Sequence, residues 1–204
     1  MAFVRAIILQ NSYIFRRHLC SFKCCRVRNF SLKTLRNQDS KHFSSQRNFH
    51  TSFLNMVKEG EAAPDFSLKD QDGNNVRLSD FKGKKAVILY FYPKDDTPGC
   101  TKQALCFREA IEDFAQLGAE VIGVSSDQDH RKFVEKYKLP FKLLSDEGSK
   151  VRKLYEVPST FGILPGRVTY VIDRQGIVKK IYNNQFRSEL HVEEAKKALK
   201  AGGN

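Results

Sequence analysis

Two cysteines lie where a strand pattern gives way to a helix pattern, and of all the residues in this sequence they are best placed to do chemistry. Cys100 ends the stretch Pro93-Lys94-Asp95-Asp96-Thr97-Pro98-Gly99-Cys100, and Cys106 follows six residues later. A cysteine at a helix start meets unpaired backbone N–H groups and the positive end of the helix dipole. Both favour thiolate over a thiol whose ordinary pKa of about 8.5 leaves only a few per cent ionised at neutral pH. Thiolate is the nucleophilic form, so the chemistry to expect is redox attack by sulfur. The competing reading is an inert buried thiol, and a Pro-Gly loop is a poor place to bury one. Two cysteines six apart suggest redox chemistry more than a structural staple.

The elements that must position Cys100 follow from the hydrophobic pattern. Ala86-Val87-Ile88-Leu89-Tyr90-Phe91-Tyr92 is a near-continuous apolar run, as in a strand buried on both faces. Leu105, Phe107, Ile111, Phe114 and Leu117 recur at helical spacing, which predicts a helix from Thr101 to about Leu117, ended by Gly118. Upstream, Asp65–Leu68 and Val76–Leu78 flank Gly73-Asn74 as a hairpin, and Ser79–Gly83 reads as a turn or 3₁₀ piece. Downstream, strands are expected at Glu120–Ser126 and Phe141–Leu144, and helices at His130–Lys138 and Lys150–Tyr155. A hairpin pairs Arg167–Asp173 with Ile177–Tyr182, and a last helix covers about Val192–Lys200. Strands alternating with helices and then a closing hairpin describe an α/β fold with a mixed central sheet flanked by helices.

The formal charge of +12 would suggest nucleic acid if it were spread over the chain, but it is not. Residues 1–55 hold ten Lys/Arg and nine Ser/Thr against one acid, Asp39, whereas the remainder holds 25 basic and 22 acidic residues. Such a cationic, acid-poor segment is expected to be a disordered organelle-targeting presequence, with a globular domain over 56–204. The apolar run Ala6–Leu9 is too short for a secretory signal, and no stretch reaches the roughly 18–20 apolar residues that span a bilayer. Arg47-Asn48-Phe49-His50-Thr51-Ser52 suggests the end of a mitochondrial presequence, with a plastid as the other destination. Met56 offers an internal start for an untargeted cytosolic or nuclear form. A metal site from Cys20, Cys24, Cys25 and His18 lacks a second ligand pair at zinc-finger spacing. Asp95-Asp96 reads as loop polarity with nothing converging on it, Tyr90 and Tyr92 as core and pocket wall, and His130 and His191 as solvated.

Residues 56–200 resemble the peroxiredoxins, in particular the peroxiredoxin Q or bacterioferritin-comigratory-protein subfamily. The resemblance rests on Pro93-x3-Thr97-x2-Cys100, Thr101-Lys102-Gln103-Ala104, Phe107-Arg108, Leu144-Ser145-Asp146-Glu147 and Leu164-Pro165-Gly166-Arg167. It implies a thioredoxin-like fold and thiol-dependent reduction of hydrogen peroxide and organic hydroperoxides, with no cofactor and no metal. It implies that Cys100 is the nucleophile, that Arg167 lies beside its sulfur, that Thr97 bonds sulfur or peroxide, and that Pro93 shields the pocket. Attack on the O–O bond then yields a sulfenic acid. The resemblance further implies recycling by thioredoxin and a monomer, with no long edge strand or apolar patch legible against it.

The sequence departs from that subfamily at the second thiol. In two-cysteine members the resolving cysteine typically lies five residues after the nucleophile; here that position is Leu105, and the thiol is Cys106. Five or six helical steps rise about 7.5 or 9 Å, beyond the Cα–Cα limit of about 7 Å for a disulfide. Either bond therefore requires the first helical turns to unwind. Cys106 as resolving thiol stands beside a one-cysteine mechanism in which glutathione or another external thiol resolves Cys100. Two readings of other classes compete: a thiol–disulfide oxidoreductase, which would want Cys-x2-Cys at the helix start, and a nucleic-acid-binding module resting on the basic N-terminus.

Overall fold

The computed structural model describes residues 57–202; the expected presequence, with Cys20, Cys24, Cys25 and His18, lies outside them. Seven strands form one sheet. They are β1 (Ser67–Asp70), β2 (Asn75–Arg77), β3 (Ala86–Phe91), β4 (Ala119–Ser125), β5 (Lys142–Ser145), β8 (Val168–Ile172) and β9 (Val178–Asn183), in the order β2-β1-β5-β4-β3-β8-β9. A separate small hairpin joins β6 (Ser159–Thr160) to β7 (Leu164–Pro165). The helices are α1 (Pro98–Glu109), α2 (Ile111–Gln116), α3 (Arg131–Tyr137), α4 (Lys150–Leu154) and α5 (Leu190–Ala201). The centre β5-β4-β3 is parallel, and β8, β9 and the β1–β2 hairpin are antiparallel, so the sheet is mixed as expected.

Strand β3 divides the core. Its side chains alternate between faces, with Ala86, Ile88 and Tyr90 joining Tyr92, Cys100, Phe107, Phe114, Phe133 and Val192 on the face of α1, α2, α3 and α5. Val87, Leu89 and Phe91 pack instead with Phe66, Leu78, Val151 and Tyr155 on the face of the N-terminal hairpin and α4. Cys100 is thus seated against one of two apolar layers. Phe107 anchors α1 there, fully buried, with its ring stacked 4.6 Å from that of Tyr90.

Three boundaries differ from the sequence reading. The helix expected from Thr101 begins at Pro98, which is tolerated at the first helical position because its missing N–H would have no partner there. Cys100 therefore lies within the first turn rather than just before it. The same helix breaks at Ala110 (φ −94°, ψ 2°), whose N–H is shared by the carbonyls of Cys106 and Phe107. The β6–β7 hairpin went unread because its strands are two residues long. Its Phe161 and Ile163 are 82% and 86% exposed, and Phe186 beyond β9 is 79% exposed.

Removing the anchor tests this architecture. Phe107→Ala is expected to lower unfolding free energy by about 3–5 kcal/mol, read by urea denaturation, with the helical content of the folded state retained.

Candidate active site

Cys100 is brought to its position by the end of β3 and the start of α1. Thr97 is the N-cap in extended conformation, followed by Pro98, Gly99 and Cys100 in the first turn. The thiol is 2% exposed. Across from it, Arg167 comes from the residue before β8 and is 3% exposed. Its Nη2 donates to Cys100 Sγ at 3.3 Å. The same guanidinium donates through Nη1 to Gln103 Oε1, one turn along α1, and through Nε to the Gln185 carbonyl at 3.2 Å. Gly99 permits this approach, because a Cβ there would sit 3.2 Å from Arg167 Nη2, tighter than an ordinary contact.

A second buried guanidinium completes the floor. Arg152 of α4 donates to the Tyr92 carbonyl at 2.6 Å and the Gly166 carbonyl at 2.9 Å. Its own backbone N–H is held by the Asp146 carboxylate at 2.8 Å. Burial pulls Arg152 below its ordinary pKa, opposed by the charges of Asp146 and Cys100. Gly166 is required by close approach, since a Cβ would fall 1.8 Å from the Pro158 carbonyl oxygen. Arg152 and Gln103 are the site residues that residue-level reasoning missed. Arg152 sits among Lys150 and Lys153 in a short surface-like helix, and nothing in its own neighbourhood distinguishes it.

Thr97 closes the loop before α1. Its Oγ1 donates to the Lys94 carbonyl at 3.1 Å rather than bonding the sulfur, which closes the loop and leaves the oxygen able to accept a bond from a peroxide O–H. Pro93 is half-buried in the same loop. Tyr90 and Tyr92 are core, as expected, and burial first, then neighbouring negative charge, pushes both hydroxyls well above the usual tyrosine range.

Cys106 is half-buried on the intact α1, packed beside the core layer. Burial, and then the Glu109 charge, push its thiol above the ordinary value. Among the described residues Cys100 and Cys106 form no disulfide. One unbroken helix carries both residues, so the requirement for unwinding stands.

Both histidines read as solvated are in fact fully buried. The sheet and helix that cover them come from elsewhere in the chain. His130 bonds Asp95, and Asp127 joins them, so the Asp95 loop does have convergent partners; the ligand atoms of the three lie within 4.8 Å of one another. The Thr169 hydroxyl donates to His191 Nδ1 at 2.8 Å, and the ring's Nε2 donates to the Asn184 carbonyl at 2.8 Å. That bond fixes the segment whose Gln185 carbonyl holds Arg167.

The chain matches the AhpC/TSA family over residues 60–181. It is 57% identical over 158 residues to the chloroplastic peroxiredoxin Q of Suaeda salsa, covering 76% of this chain and 73% of that protein. It is 60% identical over 148 residues to the chloroplastic peroxiredoxin Q of Arabidopsis thaliana, covering 71% of this chain and 68% of that one. The crystal structure of peroxidoxin BcpB from Mycobacterium tuberculosis superposes with a TM-score of 0.66 at 35% identity, covering 71% of this chain and 97% of that one. The chain belongs to the AhpC/TSA family, in its peroxiredoxin Q branch. It is a thiol-dependent peroxidase with a thioredoxin-like fold, acting on peroxides at the expense of a thiol reductant. The chloroplastic relatives overturn the mitochondrial destination expected from Arg47–Ser52 and point to a plastid. Presequences for the two organelles share a cationic, hydroxylated composition, which is why that stretch misled.

The His191 contacts give this peroxiredoxin a pH-dependent stability. Burial lowers the His191 pKa from 6.5 to about 4. The unfolded chain therefore takes up this proton first as pH falls, so the contribution is complete above the unfolded value and lost on acidification towards the folded one. Between about pH 7 and pH 4 wild type should lose about 3 kcal/mol more unfolding free energy than His191→Gln. Urea titrations of both proteins at the two pH values measure it.

Proposed function

We propose that Cys100 is the peroxidatic nucleophile of this peroxidase, supported chiefly by the buried Arg167 guanidinium 3.3 Å from its sulfur in the first turn of α1. The thiolate attacks one peroxide oxygen, the O–O bond breaks, and the leaving oxygen departs with its electron pair to be protonated to water or alcohol. Cys100 is left as a sulfenic acid. Arg167 supports the thiolate and the charge growing on the leaving oxygen. Thr97 accepts a hydrogen bond from the incoming peroxide, and Pro93 screens the pocket from water.

Cys106 then resolves the sulfenic acid. Once α1 has unwound at its first turns, the Cys106 thiolate attacks Cys100 sulfur, the S–O bond breaks as the S–S bond forms, and the hydroxide leaves to be protonated to water. A dithiol reductant, thioredoxin, restores both thiols. The working unit is a monomer, because one chain alone supplies Cys100, Arg167, Gln103 and Arg152. Residues 1–55 act as the plastid presequence of a mature domain that begins near Met56.

Steady-state peroxide consumption with thioredoxin and its reductase tests the nucleophile: Cys100→Ser should abolish turnover. Arg167→Ala should cut the second-order rate constant about a hundredfold, as loss of a preorganised donor does. Full turnover by Cys100→Ser would refute the proposal. Peptide mass spectrometry of peroxide-treated protein tests the partner thiol, with a Cys100–Cys106 linked peptide expected. Persistent sulfenic acid, or a mixed disulfide with added glutathione, would assign resolution to an external thiol instead.

A further inference from the structure

The loop from Pro93 to Thr97 that leads into Cys100 is gripped from outside by one segment of the chain, residues 127–137. Asp95 is held at three atoms. Its N–H donates to Asp127 Oδ2 at 2.8 Å, its Oδ2 meets His130 Nδ1 at 2.7 Å, and its Oδ1 accepts the Tyr92 hydroxyl at 2.6 Å. Asp127 is itself fixed by the Ser125 hydroxyl at 2.8 Å. The next residue, Asp96, takes a left-handed conformation (φ 57°), which carries a cost for any residue with a Cβ though less for aspartate than for most. Its carboxylate accepts from Lys136 Nζ and from the Tyr137 hydroxyl at 2.7 Å. Both acidic residues of the loop are therefore anchored to α3 or the residues just before it.

The two grips are unequal. Lys136 and Asp96 side chains are 55% and 51% exposed, and a pair so accessible to water contributes little. His130 is fully buried and the Asp95 side chain is 14% exposed. A buried acceptor deprived of its donor is costly, so the His130 contact is the firmer one. Nδ1 faces a carboxylate and so carries the hydrogen, while Nε2 is buried without a partner among the described residues. Nδ1 also lies 3.4 Å from the Tyr92 hydroxyl, which itself donates to Asp95, so His130 acts on the loop chiefly through Asp95. Asp95, Asp127 and His130 have the composition of a cation site, but their hydrogen bonds already engage the facing oxygens and Nδ1, which favours a clamp.

We propose that His130 is a positioning residue for peroxide reduction, holding Asp95 and thereby the Pro93–Thr97 wall of the Cys100 pocket. The inference rests on the reading of Cys100 as the nucleophile. Arg167 is held separately, by Gln103 and the Gln185 carbonyl. Loss of the clamp therefore misplaces the peroxide-binding loop and leaves the sulfur's own reactivity intact. Displacements of about 1 Å at a reacting centre cost up to a hundredfold in rate.

The test uses the full chain and compares His130→Leu, which removes the donor, with His130→Asn, which places an amide donor where Nδ1 lies. Single-turnover oxidation by hydrogen peroxide should slow about tenfold in His130→Leu and stay within about threefold of wild type in His130→Asn. Alkylation of Cys100 by iodoacetamide, followed by peptide mass spectrometry, should proceed at the wild-type rate in both. A wild-type oxidation rate in His130→Leu, equal slowing in the two variants, or alkylation that falls in step with oxidation would overturn the inference. If His130→Leu does not fold, Asp95→Ala removes the same contact from the loop side. It should slow oxidation to a similar degree, and a wild-type rate there would overturn the inference as well. Cys100→Ser, run in parallel, separates the two readings. Full turnover in that variant defeats the nucleophile assignment, whereas an inactive Cys100→Ser beside an unimpaired His130→Leu defeats the clamp alone.

Discussion

A guanidinium buried to 3% exposure against a cysteine sulfur is the contact around which the rest of this structure is arranged. A charge removed from water is expensive unless its hydrogens find partners. Arg167 finds Gln103, the Gln185 carbonyl and the sulfur. Those partners impose requirements on distant parts of the chain. Gln103 must stand one turn beyond Cys100 on α1, so the helix must start at Pro98. The Gln185 carbonyl must be turned inward, and His191 secures its neighbour Asn184 from α5. Gly99 and Gly166 must lack side chains, one so that the guanidinium can approach and the other so that its own backbone can pass Pro158. Arg152 brings a second cation to the same floor and spends it on two backbone carbonyls, Tyr92 and Gly166, tying the loop before Cys100 to the residue before Arg167.

The parts legible in the sequence are those governed by local pattern. The apolar run of β3, the alternation of strands and helices and the closing β8–β9 hairpin follow from periodicity, and the Cys100 junction follows from a strand meeting a helix. The placement of Arg167 beside sulfur came from family resemblance, since 67 residues separate the two and no local rule joins them. Where pattern and burial part company, local reading fails. His130 is preceded by Gln128 and Asp129 and followed by Arg131, and His191 is surrounded by Glu189, Glu193 and Glu194. Such neighbours make each residue look solvated. Both are buried because residues far away in sequence, Tyr92 and Asp95 in one case and Thr169 and Asn184 in the other, close over them. Pro98 and Gly99 misled in the opposite sense, looking like breakers where the fold uses one as a helix start and the other as room for Arg167.

The same geometry sets two opposing demands on α1. In the proposed cycle, attack on peroxide needs the first turn intact, because it holds Cys100 against Arg167 and presents Gln103. A disulfide with Cys106 needs that turn undone, since six helical steps separate the two Cα atoms along the axis by about 9 Å. The apparatus that fixes the loop before Cys100, from Arg152 to the Asp95 contacts, acts on the first of these demands. The features that surround Cys106 act on the second. Its half-buried position beside Phe107 and the upward push on its thiol keep it a weak nucleophile while the helix stands. Unwinding both shortens the distance and exposes the thiol to water, where ionisation is easier. Phe107 remains outside the segment that must open, fully buried and stacked on Tyr90. In the proposed cycle an opening that stops short of Phe107 would free both cysteines and leave the core layer closed, so the stacked pair would set how far α1 could unwind.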